Sequence, residues 1–438
     1  MGWIDWTVAA SIIFLTIAFS LSFFIPRINS KSEVLKNIDI RLIALKYFDQ
    51  LFNTFGTPEN WNSANFEKIG LMQKLYRIPI IIRENSGVTR INEIASSYLF
   101  FDEDCIGKSW ETTVRVYGSE EIDSKIFNKT YCLGNFLKAA SVVFKLNISP
   151  NEEKMFFVYF SPDTKIKNAS YFFDVLALLH LDEGNGTIAY DSSGFENNGI
   201  LYNNTVSCSD PPIATCPKWV DGKYGKALSF DGIDDYIEIT SFPSLTQDAT
   251  FSAWINISHL KNYNTILVSE NASGYQNFGV FVNGSGWLLF QFTNSAGNLK
   301  QHWANAGITE NQWYHIAIVF SHAYNTIKFY VNGTEILSES ETDSLTGWPN
   351  QVLRIGWGKS QTGGYQFNGT IDEVRIVNRS LSSEEIKGIA ARPLTILTYP
   401  QENFKAISVS KLKELKNVNY EEAVKSLEGY DFNVEIGK

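Results

Sequence analysis

This chain of 438 residues predicts a mainly β protein, with two sandwiches standing behind an N-terminal helical stretch. Three observations carry that expectation. From Tyr76 to Arg392 apolar and polar residues alternate over short runs, the period of half-buried strands. Asn332-Gly333, Asp231-Gly232 and Asn283-Gly284, pairs that tolerate positive φ, punctuate those runs. The three-four apolar spacing of helices is confined to the two ends. With 44% hydrophobic and 14% aromatic residues, the chain can fill a core in each of several domains.

The elements follow in order. Residues 1–28 read as a transmembrane anchor: Thr7 to Ile25 carries no charge and would span about 28 Å as a helix, close to a hydrocarbon core. Trp3 and Trp6 sit where an interfacial belt would lie, and Pro26 ends the run. A cleaved signal is the alternative, but it needs a basic leader and this N-terminus offers only Asp5. Arg27, Lys31, Lys36, Arg41 and Lys46 all follow the run. Flanking charge alone would therefore keep the bulk of the chain inside, although long domains translocate regardless and a short basic leader ahead of Met1 would resolve the conflict. Residues 29–75 open with an amphipathic helix, Ser30 and Glu33 forming its capping box and Leu35, Ile38, Leu42, Leu45 and Phe52 its stripe. Residues 76–168 hold five strand-like runs and predict a small β-sandwich, and residues 171–392 predict a larger one. Residues 393–438 predict a short α/β segment packing with 29–75: Asn419 and Glu422 cap a helix, Gly429 stops it, and Phe432, Val434 and Ile436 alternate.

A net charge of -10 without a basic face excludes nucleic acid as a partner. Eleven Asn-x-Ser/Thr sequons, at Asn128, Asn147, Asn168, Asn185, Asn203, Asn256, Asn271, Asn283, Asn332, Asn368 and Asn378, all lie beyond the anchor, as glycosylation outside the membrane requires. The four cysteines form two local pairs, Cys105 with Cys132 and Cys208 with Cys216. Neither has CxxC spacing or nearby histidines, so disulfides are expected in place of a metal site. The chain is thus expected to be a single-pass protein of the cell membrane, its C-terminal ectodomain outside.

Five segments fall in a telling order: LHLDEGNGTIAYDSSGFENNG, GKYGKALSFDGIDDYIEI, FSAWINI, WYHIAIVF with IKFYVNG, and FNGTIDEVRIVNRSLSSEEI. Together, over about half the chain, they resemble laminin-G-like modules of the concanavalin A-like lectin/glucanase superfamily. The resemblance implies a jelly-roll sandwich used for recognition. Separately, GTPENW…IGL (residues 56–71) and KL…YEEA…DFNVEI (residues 411–436) resemble archaeal, membrane-anchored, type IV pilin-like surface proteins. That likeness makes residues 76–392 an insertion into the membrane-proximal domain.

Strand alternation places Phe251, Ala253, Ile255 and Ile257 on one face, and Ile327, Phe329 and Val331 on another strand's inner face. Trp313 and His315 share a face, where the histidine is expected to be a hydrogen-bonded structural residue. Asp372 is expected on the face of Val374 and Ile376, where a bare carboxylate is costly. Calcium held by Asp182, Asp191 and Asp372 is one solution, related modules often binding it through loop carboxylates. An Asx turn at Asp191 and backbone donors on Asp372 are the other. Tyr275, Trp287, Trp303, Trp348, Trp357 and Tyr365 are candidates to stack on sugar rings, or simply to pack. Neither TIDEVR nor DDYIEI keeps the two glutamates of a glycosidase strand in register, so no enzyme and no organic cofactor are expected. The expected function is surface recognition or adhesion, binding glycan or a surface protein; the alternatives are a glycosylated subunit of a filament, in which the chain partners itself, or a divergent surface glycosidase.

Overall fold

The computed structural model describes residues 72–407, apart from short stretches at 108, 110, 161–173, 210–214, 246, 272–274, 348–350 and 358–364. The anchor expected over Thr7–Ile25, the amphipathic helix and the residues after 407 lie outside the described residues, as do Trp348 and Asn168. Among the described residues no helix is long and apolar enough to cross a membrane.

The fold is mainly β and stacks four sheets of six, three, eight and nine strands. The six- and three-stranded sheets make the small sandwich. Ile78, Ile80, Ile82, Phe156 and Val158 from the first meet Ala95, Leu99, Val142, Phe144 and Leu146 from the second in one core. The described part of this unit starts at Met72, ahead of the expected Tyr76, and also takes in residues that the sequence assigns to the C-terminal segment. Strand Met72–Arg83 pairs with Glu153–Phe160 on one side and with Thr395–Thr398 and Glu402–Ile407 on the other. Those last strands are hard to see in sequence because they are short and are separated by Pro400, with Pro393 just ahead of the first. The larger unit, from Asp174 onward, is therefore inserted between two strands of the small one.

The eight- and nine-stranded sheets of the larger unit face each other across a core that includes Phe251, Ala253, Ile255, Ile257, Phe278, Phe290, Ile327 and Phe329, as the alternation predicts. Its α-helix, Ser383–Ala390, starts with a complete capping box between Ser382 and Glu385. Ile386 of that helix, with Val175, Leu178, Val319 and Val377, packs against Ile94, Phe127 and Val143 of the three-stranded sheet. The small unit thus covers the outer face of the eight-stranded sheet and leaves that of the nine-stranded sheet to other contacts.

Charged groups tie the two units together. Arg90 is buried, donates to the Gly388 carbonyl (2.6 Å) and to Arg392 O at the helix end, and lies between Glu84 and Glu93. Arg375 reaches Glu93 at 2.9 Å from the other unit. Burial pushes the Glu93 carboxyl up, but Arg375 and Arg90 outweigh it and hold it below the usual range. Both expected disulfides are present, Cys105–Cys132 and Cys208–Cys216. The longer loop stabilises by about 3–4 kcal/mol on the chain-entropy account.

Candidate functional site

Two groups of residues stand out on the larger unit. The first is the outer face of the nine-stranded sheet. Cross-strand register lines up Gln301, Gln291, Gly279, Val268, Arg354, Glu238 and Ile200 in one row over seven strands. At about 4.8 Å per strand such a row is about 29 Å long. Its middle is closed: Val268, Glu270 and Phe281 are buried. There Arg354 takes both neighbouring acids, Glu238 (2.8 Å) and Glu270.

The flanks carry the accessible rings. On one, Tyr263 stacks on Tyr365 with centroids 4.8 Å apart and planes at 4°, and Trp303 leans on Tyr263 at 6.1 Å. Leu289 pairs with Trp303 and Trp287 with Asn305, so Trp287 is the diagonal neighbour of Trp303 on the same face. Beside them Gln301 donates to Gln291 (3.0 Å) and Gln291 to Gln276 (2.6 Å), a ladder of carboxamides. On the other flank Trp357 packs edge-on against Tyr236, which stacks on Tyr202. Tyr275 stands apart in the loop before strand Gln276–Asn283, exposed and with its backbone bonded to Asn271. Of the rings proposed from sequence, the structure brings together Trp303 and Tyr365 through Tyr263, and register places Trp287 on the same face. Tyr263, which joins them, goes unnoticed in the sequence because YNTILV reads as an ordinary strand start.

The second group lies on the outer face of the eight-stranded sheet. Asp372, Trp254 and His315 are direct cross-strand partners on three neighbouring strands. The expectation that Asp372 shares a face with Val374 is corrected here. Glu373 has φ 51°, the ladder slips a residue between Ser252 and Trp254, and the resulting bulge reverses the alternation. Ile371, Val374 and Ile376 point into the core while Asp372 points out of it, beneath Tyr224. One of its oxygens accepts the Tyr224 N–H at 3.0 Å and the other has no protein partner. Burial, aided by the charges of Glu373 and Asp182, pushes this carboxyl up to about 7 against the pull of that N–H. His315 is also buried and its Nδ1 finds no partner. Burial pushes it down to about 3, so the ring is neutral.

Asp182, Asp191 and Asp372 do not form a shared metal site. Asp191 is saturated by the N–H groups of Leu178, Ser193 and Asn197 and the Ser193 hydroxyl, the Asx-turn alternative. Asp182 accepts the Lys226 N–H at 2.6 Å. Among the described residues the acidic side chains that converge, within 4.8 Å of one another, are instead Asp231, Asp234 and Asp235. Burial, then the charges of Asp231 and Asp234, push the Asp235 carboxyl up to about 7, against the Asp231 N–H. None of the ten described sequon asparagines is buried. Asn203 and Asn368, however, commit their amide nitrogens to Thr215 O and Asp231 O.

The paired sheets are those of a concanavalin A-like jelly roll. Residues 231–387 match the laminin-G type family model described as the concanavalin A-like lectin/glucanases superfamily. Among solved structures, domain 4 of AbnA, an extracellular arabinanase of family GH43 from Geobacillus stearothermophilus solved with arabinotriose, is similar at 21% identity and TM-score 0.40, covering 50% of this chain and 100% of that one. The binding domain of Paraclostridial Mosquitocidal Protein 1 is similar at 17% identity and TM-score 0.38, over 50% of this chain and 52% of that one. A heptameric SAP-like pentraxin from Limulus polyphemus gives 17% identity and TM-score 0.32, over 42% and 94%. The comparison with curated proteins finds no match.

Proposed function

We propose that the protein is a non-catalytic recognition protein of the cell surface, whose jelly roll binds glycan chains on the flank formed by Trp287, Trp303, Tyr263 and Tyr365. The observation that carries this reading is the meeting of three partly exposed rings, Trp303, Tyr263 and Tyr365, with a carboxamide ladder on one sheet face, to which register adds Trp287 on the same face. Apolar ring faces stack on the C–H faces of sugars while carboxamides exchange hydrogen bonds with hydroxyls. The matched family, which takes its name from lectins and glucanases, supports the same ligand class. Catalysis is disfavoured because Glu238 and Glu270, the acids of this face, are both neutralised by Arg354 in place of being held apart as acid and nucleophile. Two disulfides favour an oxidising, extracellular setting, with the apolar run at Thr7–Ile25 as the membrane anchor.

The test is a glycan array probed with the full chain, followed by titration of the ligands retained. Trp303→Ala and Tyr263→Ala are expected to weaken binding at least tenfold at unchanged melting temperature. Retention of no glycan, or undiminished binding by both variants, overturns the reading.

A further inference from the structure

The small sandwich has a groove of about 310 Å³ where the end of strand Arg90–Phe100 of its three-stranded sheet faces the end of strand Thr395–Thr398, on the edge of its six-stranded sheet. Three aromatic residues line it and are nearly half exposed: Tyr98 at 43%, Phe100 at 49% and Tyr399 at 44%. Tyr98 and Phe100 meet edge to face, with centroids 5.5 Å apart and planes at 87°, so that their rings form a corner. Glu103 and Asp104, both exposed, also line the groove, and none of the described residues around it is basic. On the jelly-roll flank the rings stand among carboxamides, which suit neutral hydroxyls. Here they stand among carboxylates.

The walls are held in place by contacts of their own. Asp102 is buried and accepts the N–H groups of Ile106 (3.0 Å) and Gly107 (2.8 Å), which closes the loop carrying Glu103 and Asp104. The Cys105–Cys132 disulfide anchors the same loop. On the opposite wall the Tyr399 N–H donates to the Pro79 carbonyl at 3.0 Å, just ahead of Pro400. A site preformed in this way loses little conformational freedom when it is filled.

We infer that the groove binds a small organic cation of the quaternary ammonium class, with Tyr98, Phe100 and Tyr399 against its methyl groups and Glu103 and Asp104 balancing its charge. Ring faces attract such a cation through their quadrupole. A primary ammonium asks for an acceptor on each N–H and a metal ion for a shell of oxygens, neither of which an aromatic wall supplies. The carboxylates would repel the phosphate of a lipid headgroup, so the cation is a free solute. The groove lies on the other unit from the proposed glycan flank and shares no residue with it, and either can fail without the other.

Calorimetric titration of the full chain with choline tests the inference. One site per chain is expected, with dimethylbutanol, the uncharged carbon isostere of choline, and phosphocholine both binding more weakly. Phe100→Ala and Tyr399→Ala, at exposed positions, should each weaken choline binding roughly tenfold at unchanged melting temperature. Glu103→Gln should weaken it less and flatten its dependence on salt. Trp303→Ala should bind choline like the parent. Failure to bind choline, equal binding of the isostere, tighter binding of phosphocholine, undiminished binding by both ring variants, or loss in Trp303→Ala in their place overturns it.

Discussion

Asp372 shows what one residue's backbone can hide. Its presence in IDEVRIVN and the cost of burying it are legible in the sequence, and so is its recourse to a backbone N–H. Its face is not, because period-two counting fails once Glu373 takes a left-handed φ of 51°. The linkage follows from that burial. A carboxyl whose folded pKa is raised from 3.8 to about 7 keeps its proton in the folded state after the unfolded chain has lost it. Stability from this group is greatest below the unfolded pKa and is lost as pH climbs through about 7. His315 works in the opposite sense, its contribution being lost as pH falls from 6.5 toward about 3. Asp372→Asn keeps an acceptor for Tyr224 and removes the charge. It should melt above the parent at pH 8, by about 1–3 kcal/mol in unfolding free energy, by less at pH 5, and converge on it only as pH falls to about 4. A difference that stays flat across that range would sink the argument. The aromatic residues teach a related lesson: Trp303 and Tyr365 were legible as candidates, yet only the register that sets Tyr263 between them makes a surface.

At the scale of elements, long alternating strands and both disulfides were readable from the residues, since alternation and local cysteine pairs are short-range signals. What joins the two units is long-range and was not. Arg90 lies 298 residues before the carbonyl it bonds at the end of the only α-helix among the described residues. Removing its side chain leaves Glu84, buried, without its guanidinium partner and Glu93 with Arg375 alone. Arg90→Ala should therefore cost about 3–5 kcal/mol, the range for breaking a buried ion pair, measured by urea unfolding of the full chain. A loss below about 1 kcal/mol would mean that the apolar contacts of Ile94, Phe127 and Val143 hold the units together unaided.

For the whole molecule, composition and motif order were enough to anticipate a mainly β chain carrying a jelly roll, but the seating of the jelly roll between strands of the small sandwich was not anticipated: the terminal motifs make residues 76–392 one insertion, and those motifs lie outside the described residues. The partner strands of the insertion were hidden, because Thr395–Thr398 and Glu402–Ile407 acquire strand character only by lying along Met72–Arg83. That pairing has a mechanical consequence. Met72 lies opposite Ile407, and Asp174 and Asn378, which flank the first and last strands of the jelly roll, are bonded to each other through their backbone. Tension applied through the flanking chain reaches the Met72–Ile407 ladder first and loads it one bond at a time, from the end, as a zipper. The jelly roll hangs outside the load path and stays folded until that zipper has opened. Single-molecule stretching between handles placed before residue 72 and after residue 407 should show a small, low-force extension preceding the large one, and a single high-force rupture of the whole molecule would contradict this order.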